Sequence, residues 1–307
     1  MSRDRSALES NHDNVPAKDS IGLLAGWGDF PVYVAETLRR QGYRVVGLGF
    51  HGHASRDLSR HCDVYREIGI AKLGGAIRFL KRHGVRRATM AGKIHKTVLF
   101  RRFLILRHLP DLKCLLTFYP HLIANTKDSK DDTLLNVVVD TYAQAGIEFA
   151  PATNFAPELL VKFGTLAGRR LTSGQQKDIQ FGWQIAKELG RLDCGQTVAV
   201  KGQAVLALEA VEGTDQCIRR AGELCPAGGF TVVKVAKPQQ DMRFDVPTIG
   251  LGTLEVLKQA GGKVLAIEAD KTIVIQQDEV CDYAARNGLT VVALRDGAER
   301  IQGDAAA

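Results

Sequence analysis

Apolar positions in the first half of the chain fall into short runs separated by stretches with helical spacing. Ile21-Gly-Leu-Leu-Ala-Gly26 reads as a buried strand, followed by a glycine turn and a helix to about Gln41. Arg44-Val-Val-Gly-Leu-Gly-Phe50 is a second strand. A further strand near Val64–Ile68, a helix from about Leu73 to His83 and a strand at Arg87–Ala91 continue the alternation. Strands that alternate with helices of this length predict a parallel sheet with right-handed crossovers, a Rossmann-like half.

Residues 94–123 are apolar and basic, and their pattern predicts two helical pieces broken at Pro110. A helix from Asp132 to Gly146 and a strand at Ile147–Ala150 follow. A connecting stretch with Pro151, Pro157 and Gly164 leads to a helix at Gln175–Gly190, which puts a domain boundary within 155–172. Beyond it, Thr197–Val200 and Val205–Val211 flank Lys201-Gly-Gln as in a hairpin. A helix at Asp215–Leu224, a strand at 230–236, a helix near 251–260 and strands at 263–268 and 290–294 predict a second α/β domain. The expected division is a disordered tail over 1–19, a Rossmann-like domain over 20–160 and a catalytic α/β domain over 172–302.

Composition narrows the class. With 45% hydrophobic and 24% charged residues in 307, the chain reads as an ordinary globular protein. It has no apolar run long enough to span a bilayer and no apolar core of a signal peptide in its first twenty residues, so the expected location is the cytoplasm. Six cysteines without zinc-like spacing read as reduced thiols. The net charge of +7 points to an anionic partner. Between Arg78 and Lys113 there are eleven Lys/Arg and one acid, Asp111, so the excess is concentrated there. Within it, Val98–Leu109 is apolar and edged with arginines, which fits either a core helix or one that meets acyl chains and anionic head groups.

Candidate chemistry gathers in three places. Ala25-Gly26-Trp27-Gly28-Asp29-Phe30-Pro31 is a turn between a strand and a helix, where amides such as those near Gly26 and Gly28 can hold a phosphate. As a dinucleotide fingerprint it lacks the third glycine, replaced by Pro31, and the second strand ends without a ribose-binding acid. Lys93, in Ala91-Gly-Lys-Ile-His-Lys96, follows a strand end and can meet a phosphate as a point charge. The richest stretch is Lys234-Val-Ala-Lys237-Pro-Gln-Gln240-Asp241-Met-Arg243-Phe-Asp245-Val-Pro247-Thr248-Ile-Gly250, together with Glu209-Ala-Val-Glu212-Gly-Thr214-Asp215. Carboxylates, lysines and an arginine in this density suit a metal ion and a phosphoryl group better than an apolar core. All eight histidines lie at or before His121, so a histidine-based mechanism contained in the second domain is excluded. The loop histidines His51, His53 and His61 read as surface residues rather than metal ligands.

Four motifs then carry a resemblance: Ala25-Gly-x-Gly-x-x-Pro31, Gly190-Arg-Leu-Asp-x-Gly-Gln196, Glu212-Gly-Thr-Asp215-x-x-Ile-Arg-Arg220 and Lys237-Pro-x-Gln-Asp-x-Arg243-x-Asp245-x-Pro-x-Ile-Gly250. In order and over nearly the whole chain, they resemble the LpxI-type UDP-2,3-diacylglucosamine pyrophosphatases of the lipid A pathway. The resemblance implies a Rossmann-like domain and a distinct C-terminal α/β domain with the lipid nucleotide between them. It implies a homodimer and a Mg²⁺-dependent attack of water on the α-phosphate, releasing UMP and 2,3-diacylglucosamine 1-phosphate. The family's essential aspartate falls on Asp245.

From charge and proximity to Asp245, Arg243, Lys237 and Lys234 are expected to pair with the diphosphate. Glu212 and Asp215 are expected to help Asp245 place the metal, Mg²⁺ or alternatively Mn²⁺. Thr214, Gln240 and Thr248 are expected to orient substrate oxygens. The expected partners are the lipid nucleotide and, peripherally, the cytoplasmic face of the inner membrane, with no nucleic acid. Two competitors explain one half of the chain each: an NAD(P)-dependent oxidoreductase on the Rossmann-like half, and a nucleic-acid-binding module on the basic stretch.

Overall fold

The computed structural model describes residues 18–92, 109–123, 131–243 and 245–295. Five strands form the first sheet: β1 (Lys18–Ala25), β2 (Tyr43–Phe50), β3 (Val64–Ile68), β4 (Arg87–Ala91) and β5 (Glu148–Phe149). All pair in parallel in the order β3-β2-β1-β4-β5. Helices α1 (Phe30–Arg40), α2 (Leu73–Arg82), α3 (Leu112–Ile123) and α4 (Asp131–Gln144) cover its two faces. Alternation along the strands divides the core: Ile21, Leu23 and Val45 pack with Val34 and Leu38 of α1. Leu24, Val46 and Leu48 pack instead with Ile77 and Leu80 of α2 and with Tyr142 of α4. Burial on both faces is why these strands read as continuous apolar runs. The strand β1 begins at Lys18, inside the stretch expected to be a tail, because the start of β2 at Tyr43 gives its polar end a pairing partner. The rest of that stretch, and Lys93 with most of the apolar-basic segment, lie outside the described residues.

The second sheet is mixed, in the order β6-β13-β11-β9-β7-β8. Its strands are β6 (Gly164–Ala167), β7 (Thr197–Lys201), β8 (Ala204–Leu208), β9 (Thr231–Lys234), β11 (Val264–Glu268) and β13 (Thr290–Leu294). The strands β9, β11 and β13 are parallel to one another, whereas β6, β7 and β8 join antiparallel. A short helix α5 (Ala152–Phe155) closes the first half. Helix α6 (Ser173–Arg191), opened by a Thr172/Gln175 capping box, covers one face with Ile179, Trp183 and Ala186 over Val198, Val200 and Val233. On the other face, α7 (Thr214–Leu224), α8 (Leu251–Gln259) and α9 (Gln277–Arg286) pack on Val232, Leu265, Ile267 and Val291. The predicted hairpin is β7–β8, ending at Leu208 rather than Val211, and Val211 is fully exposed.

A third, two-stranded parallel sheet of β10 (Thr248–Ile249) and β12 (Ile273–Val274) joins the halves. Ile273 is fully buried in the core of the first domain beside Phe155 and Leu159. In the connecting segment, Val161 donates its amide to the Thr272 carbonyl at 2.9 Å and accepts from the Asp270 amide at 2.8 Å. No described helix is long and apolar enough to cross a membrane.

Candidate active site

In the first sheet the strand order reverses between β1 and β4, and open parallel sheets leave a crevice for ligands at such a point. The two strand ends are in register at Ala25 and Ala91, and the Gly26 amide donates to the Ala91 carbonyl at 2.8 Å. Gly92 follows with φ of +86°, and a Cβ there would lie 2.8 Å from both the Trp27 carbonyl oxygen and the Pro31 ring. Only glycine lets the two turns close on each other.

This crevice is one wall of a 630 Å³ cavity between the domains. The first domain contributes Trp27, Gly28, Asp29, His53 and Gly92. The second contributes Gln196, Glu209, Glu212, Thr214, Asp215, Lys234, Asp245, Thr248 and Thr253. Three helices present their N-termini to it: α1 at Asp29–Phe30, α7 at Gly213–Asp215 and α8 at Gly250–Thr253. None of the three has a side-chain cap hydrogen bond, even though Asp29 stands at the N-cap of α1 and Asp215 in the first turn of α7, so their first-turn amides are not satisfied by a capping side chain.

The side chains are held individually. Lys234, at the end of β9, is buried and donates to the Thr248 carbonyl at 2.9 Å. Glu209 is buried and accepts from the Thr214 hydroxyl at 3.0 Å and from the Gln196 amide at 3.3 Å. Glu212 meets Arg220 at 2.8 Å, an approach that misses hydrogen-bond geometry at its buried Oε1. The Gln196 Oε1 is likewise buried with no hydrogen-bond partner among the described residues. Gln240 bridges two others, accepting from the Lys237 amide at 2.8 Å and donating to Asp245 Oδ2. The Lys237 ammonium stands 3.9 Å from Asp245 Oδ2.

Each domain of the chain matches a family model: the LpxI N-terminal domain over residues 20–159 and the LpxI C-terminal domain over residues 162–292. The chain is also 30% identical over 287 residues to the UDP-2,3-diacylglucosamine pyrophosphatase LpxI of Caulobacter vibrioides, covering 89% of this chain and 97% of that protein. The chain belongs to the LpxI family. For an LpxI protein, the cavity brings together seven of the residues singled out in the sequence: Gly28, Glu212, Thr214, Asp215, Lys234, Asp245 and Thr248. Gly26 sits at the strand end beside them, and Lys237 and Gln240 stand behind Asp245.

Arg243, expected to pair with the diphosphate, already holds protein partners. It lies off the cavity lining, with Nε 2.9 Å from Asp241 Oδ1 and its guanidinium donating to Asn136 Oδ1 of α4 at 2.6 Å. Hydrogen bonds from Arg243 outweigh burial and hold the Asp241 carboxyl below the usual range, and the same pairing pushes the guanidinium up. A bidentate partner two residues away competes directly with a diphosphate for that fork. Conversely, the lining includes His53 and Trp27, which sequence reading left as a surface loop residue and a turn residue. His53 is only 4% exposed. Its Nδ1 donates to the His51 carbonyl at 3.2 Å, since a carbonyl only accepts. The available signal was positional: residues 51–55 follow the C-terminal end of β2, on the same sheet edge as the ends of β1 and β4.

Proposed function

We propose that this LpxI protein hydrolyses the pyrophosphate bond of UDP-2,3-diacylglucosamine, with water attacking the α-phosphate. The observation that carries the reading is the convergence of three uncapped helix N-termini and buried Lys234 on one cavity between the domains. Such termini stabilise anions, and two adjacent phosphates need several of them. The phosphorus–oxygen bond to the β-phosphate breaks, giving UMP and 2,3-diacylglucosamine 1-phosphate, and the proton of the attacking water passes to Asp245. Gln240 fixes the orientation of that carboxylate and Lys237 backs it from behind the lining, while Lys234 on the wall offsets charge growing on the leaving oxygen.

The donor set fits a divalent cation. Asp29, Glu209, Glu212, Asp215 and Asp245 line the cavity against Lys234 as the one Lys or Arg among the described lining residues. A diphosphate entering such a wall requires added positive charge. Among the described residues no three acids, histidines or cysteines are grouped closely enough to hold a metal alone, so a bound Mg²⁺ would complete its shell with phosphate and water. Asp245, Glu212 and Asp215 all line the cavity but are not grouped closely enough to share one ion, so one or two of these carboxylates would hold it, and when bound it would neutralise the diphosphate and acidify the attacking water. The Gln196 side-chain Oε1, buried with no partner among the described residues, offers an acceptor for a substrate N–H or O–H. On α3, Leu112, Leu115, Leu116 and Tyr119 are at least half exposed on one side of the helix beside Lys113, which supports peripheral contact with an anionic membrane that supplies the lipid.

The test is UMP release from UDP-2,3-diacylglucosamine with Mg²⁺ in detergent, for wild type and Asp245→Ala. The expected result is robust wild-type release and a loss of at least about 10³-fold in a folded variant, the scale of removing a central electrostatic or base group. An inactive wild type would remove the substrate assignment. Equal activity of both proteins would move the centre to Glu212 and Asp215.

A further inference from the structure

The motif Gly190-Arg-Leu-Asp193 lies over forty residues from Lys237 in sequence, yet the fold stacks the two. A Cβ at Gly190 would sit 3.1 Å from Lys237 Cα and 3.2 Å from the Pro238 ring, so glycine allows the end of α6 to touch this backbone. Just beyond the helix, Asp193 adopts φ of +57°, a left-handed conformation that aspartate tolerates better than most residues. From there its Oδ1 accepts from the Lys237 ammonium at 2.7 Å, while Asp245 Oδ2 stands 3.9 Å from the same nitrogen.

The backbone at Lys237 is fixed on both sides. Ahead of it, the Ala236 amide donates to buried Glu268 at 2.8 Å, and the Ala236 carbonyl accepts from Lys187 at 3.0 Å. Behind it, the Lys237 amide donates to Gln240, which in turn donates to Asp245. What remains variable is the long lysine side chain, whose rotamers spread the ammonium over several ångströms. Of the two carboxylates seen to face it, Asp193 is the closer and makes the hydrogen bond.

We propose that Asp193 is a positioning residue that holds the Lys237 ammonium beside Asp245, behind the cavity lining, where it sets the positive charge that this carboxylate faces. The inference rests on the proposed hydrolase reading and deepens it. Asp193 is about half exposed, and a pair of this kind adds little to fold stability. Its effect therefore belongs in turnover rather than in folding.

Asp193→Asn keeps the size and left-handed tolerance of the residue and removes its charge; Asp193→Gly keeps the backbone and removes the side chain. Both are expected to lower kcat on the order of 10- to 100-fold, with KM within about threefold and Tm unchanged, the scale of misplacing a group by about an ångström. In a Lys237→Met background, Asp193→Asn is expected to bring no further loss, because it acts through that lysine. Independently of turnover, acetylation of Lys237 followed by mass spectrometry is expected to quicken in Asp193→Asn, whose lysine is no longer gripped. Wild-type kcat in Asp193→Asn, or full multiplication of the two losses in the double variant, would overturn the proposal. If wild type releases no UMP, the hydrolase reading fails by itself. Lys237 acetylation then still decides whether Asp193 holds the lysine, and an unchanged rate would reject that.

Discussion

Replacing Lys187 by methionine tests how the loop carrying Lys237 and Asp245 is anchored. Glu268 is 2% exposed at the end of β11 and accepts from Lys187 at 2.7 Å, from the Ala236 amide at 2.8 Å and from Lys271 at 2.9 Å. Burial pushes this carboxyl upward, but the hydrogen bonds from Lys187, Lys271 and Ala236 outweigh it and hold it below the ordinary 4.5. Lys187→Met removes the closest cation and leaves a buried carboxylate supported by a half-exposed lysine and one amide. Breaking a buried pair from one side costs about 3–5 kcal/mol, and the surviving partners put this case near the lower end, about 3 kcal/mol. At about 2–4 °C per kcal/mol this is a loss of about 6–12 °C in Tm. The pH dependence is specific. Because the folded pKa is depressed, the stabilisation is fully present at neutral pH and is lost as pH falls below about 4.5 through the folded value. The Tm gap between wild type and Lys187→Met, measured by calorimetry, is therefore widest at pH 7 and narrows towards pH 4. A gap worth less than about 1 kcal/mol at pH 7, as for a surface pair, would refute the reasoning. So would a gap of the same size at both pH values.

Two further outcomes follow from the same geometry. Asn136→Ala removes the acceptor that Arg243 reaches on α4 while leaving its Asp241 pair intact; urea unfolding is expected to lose about 1–2 kcal/mol, the range for a hydrogen bond to a partly screened charge. Burial drives the Cys62 and Cys217 thiols up to about 12, whereas Cys194 is exposed. A maleimide at pH 8 is therefore expected to label Cys194 in the native protein and to reach Cys62 and Cys217 only after denaturation, read by peptide mass spectrometry.

What the sequence displayed most clearly is what periodicity encodes. Strands such as β2, β9, β11 and β13 are buried on both faces, so their apolar runs stand out against the helices between them. Elements without such a pattern did not stand out. β10 and β12 are two residues each, too short to repeat anything. Helix α9 buries only Val280 and Ala284 among ten residues, and β6 is a partly exposed edge. The carboxylates of the site were legible because charge at Glu212, Asp215 and Asp245 falls where turns end strands and open helices. Charge alone did not reveal that Arg243 has a protein partner, which Asp241, two residues away, supplies.

The placement of His53 bears on what each domain contributes to the cavity. The second domain has no histidine, and its cavity wall offers carboxylates, Lys234 and two helix ends. The first domain adds a third helix end, an imidazole with its Nδ1 proton directed at the His51 carbonyl, and an aromatic face at Trp27. Neither wall encloses a ligand alone. Among the contacts that bring them together are Ile273, a residue of the second domain buried in the core of the first, and the β10–β12 pair on which it rides. That pair starts at Thr248, whose carbonyl accepts from Lys234, three residues after Asp245. The segment that docks the domains is thus continuous with the segment that carries the aspartate. Packing at Ile273 thereby fixes where Asp245 stands relative to the glycine turn of the first domain.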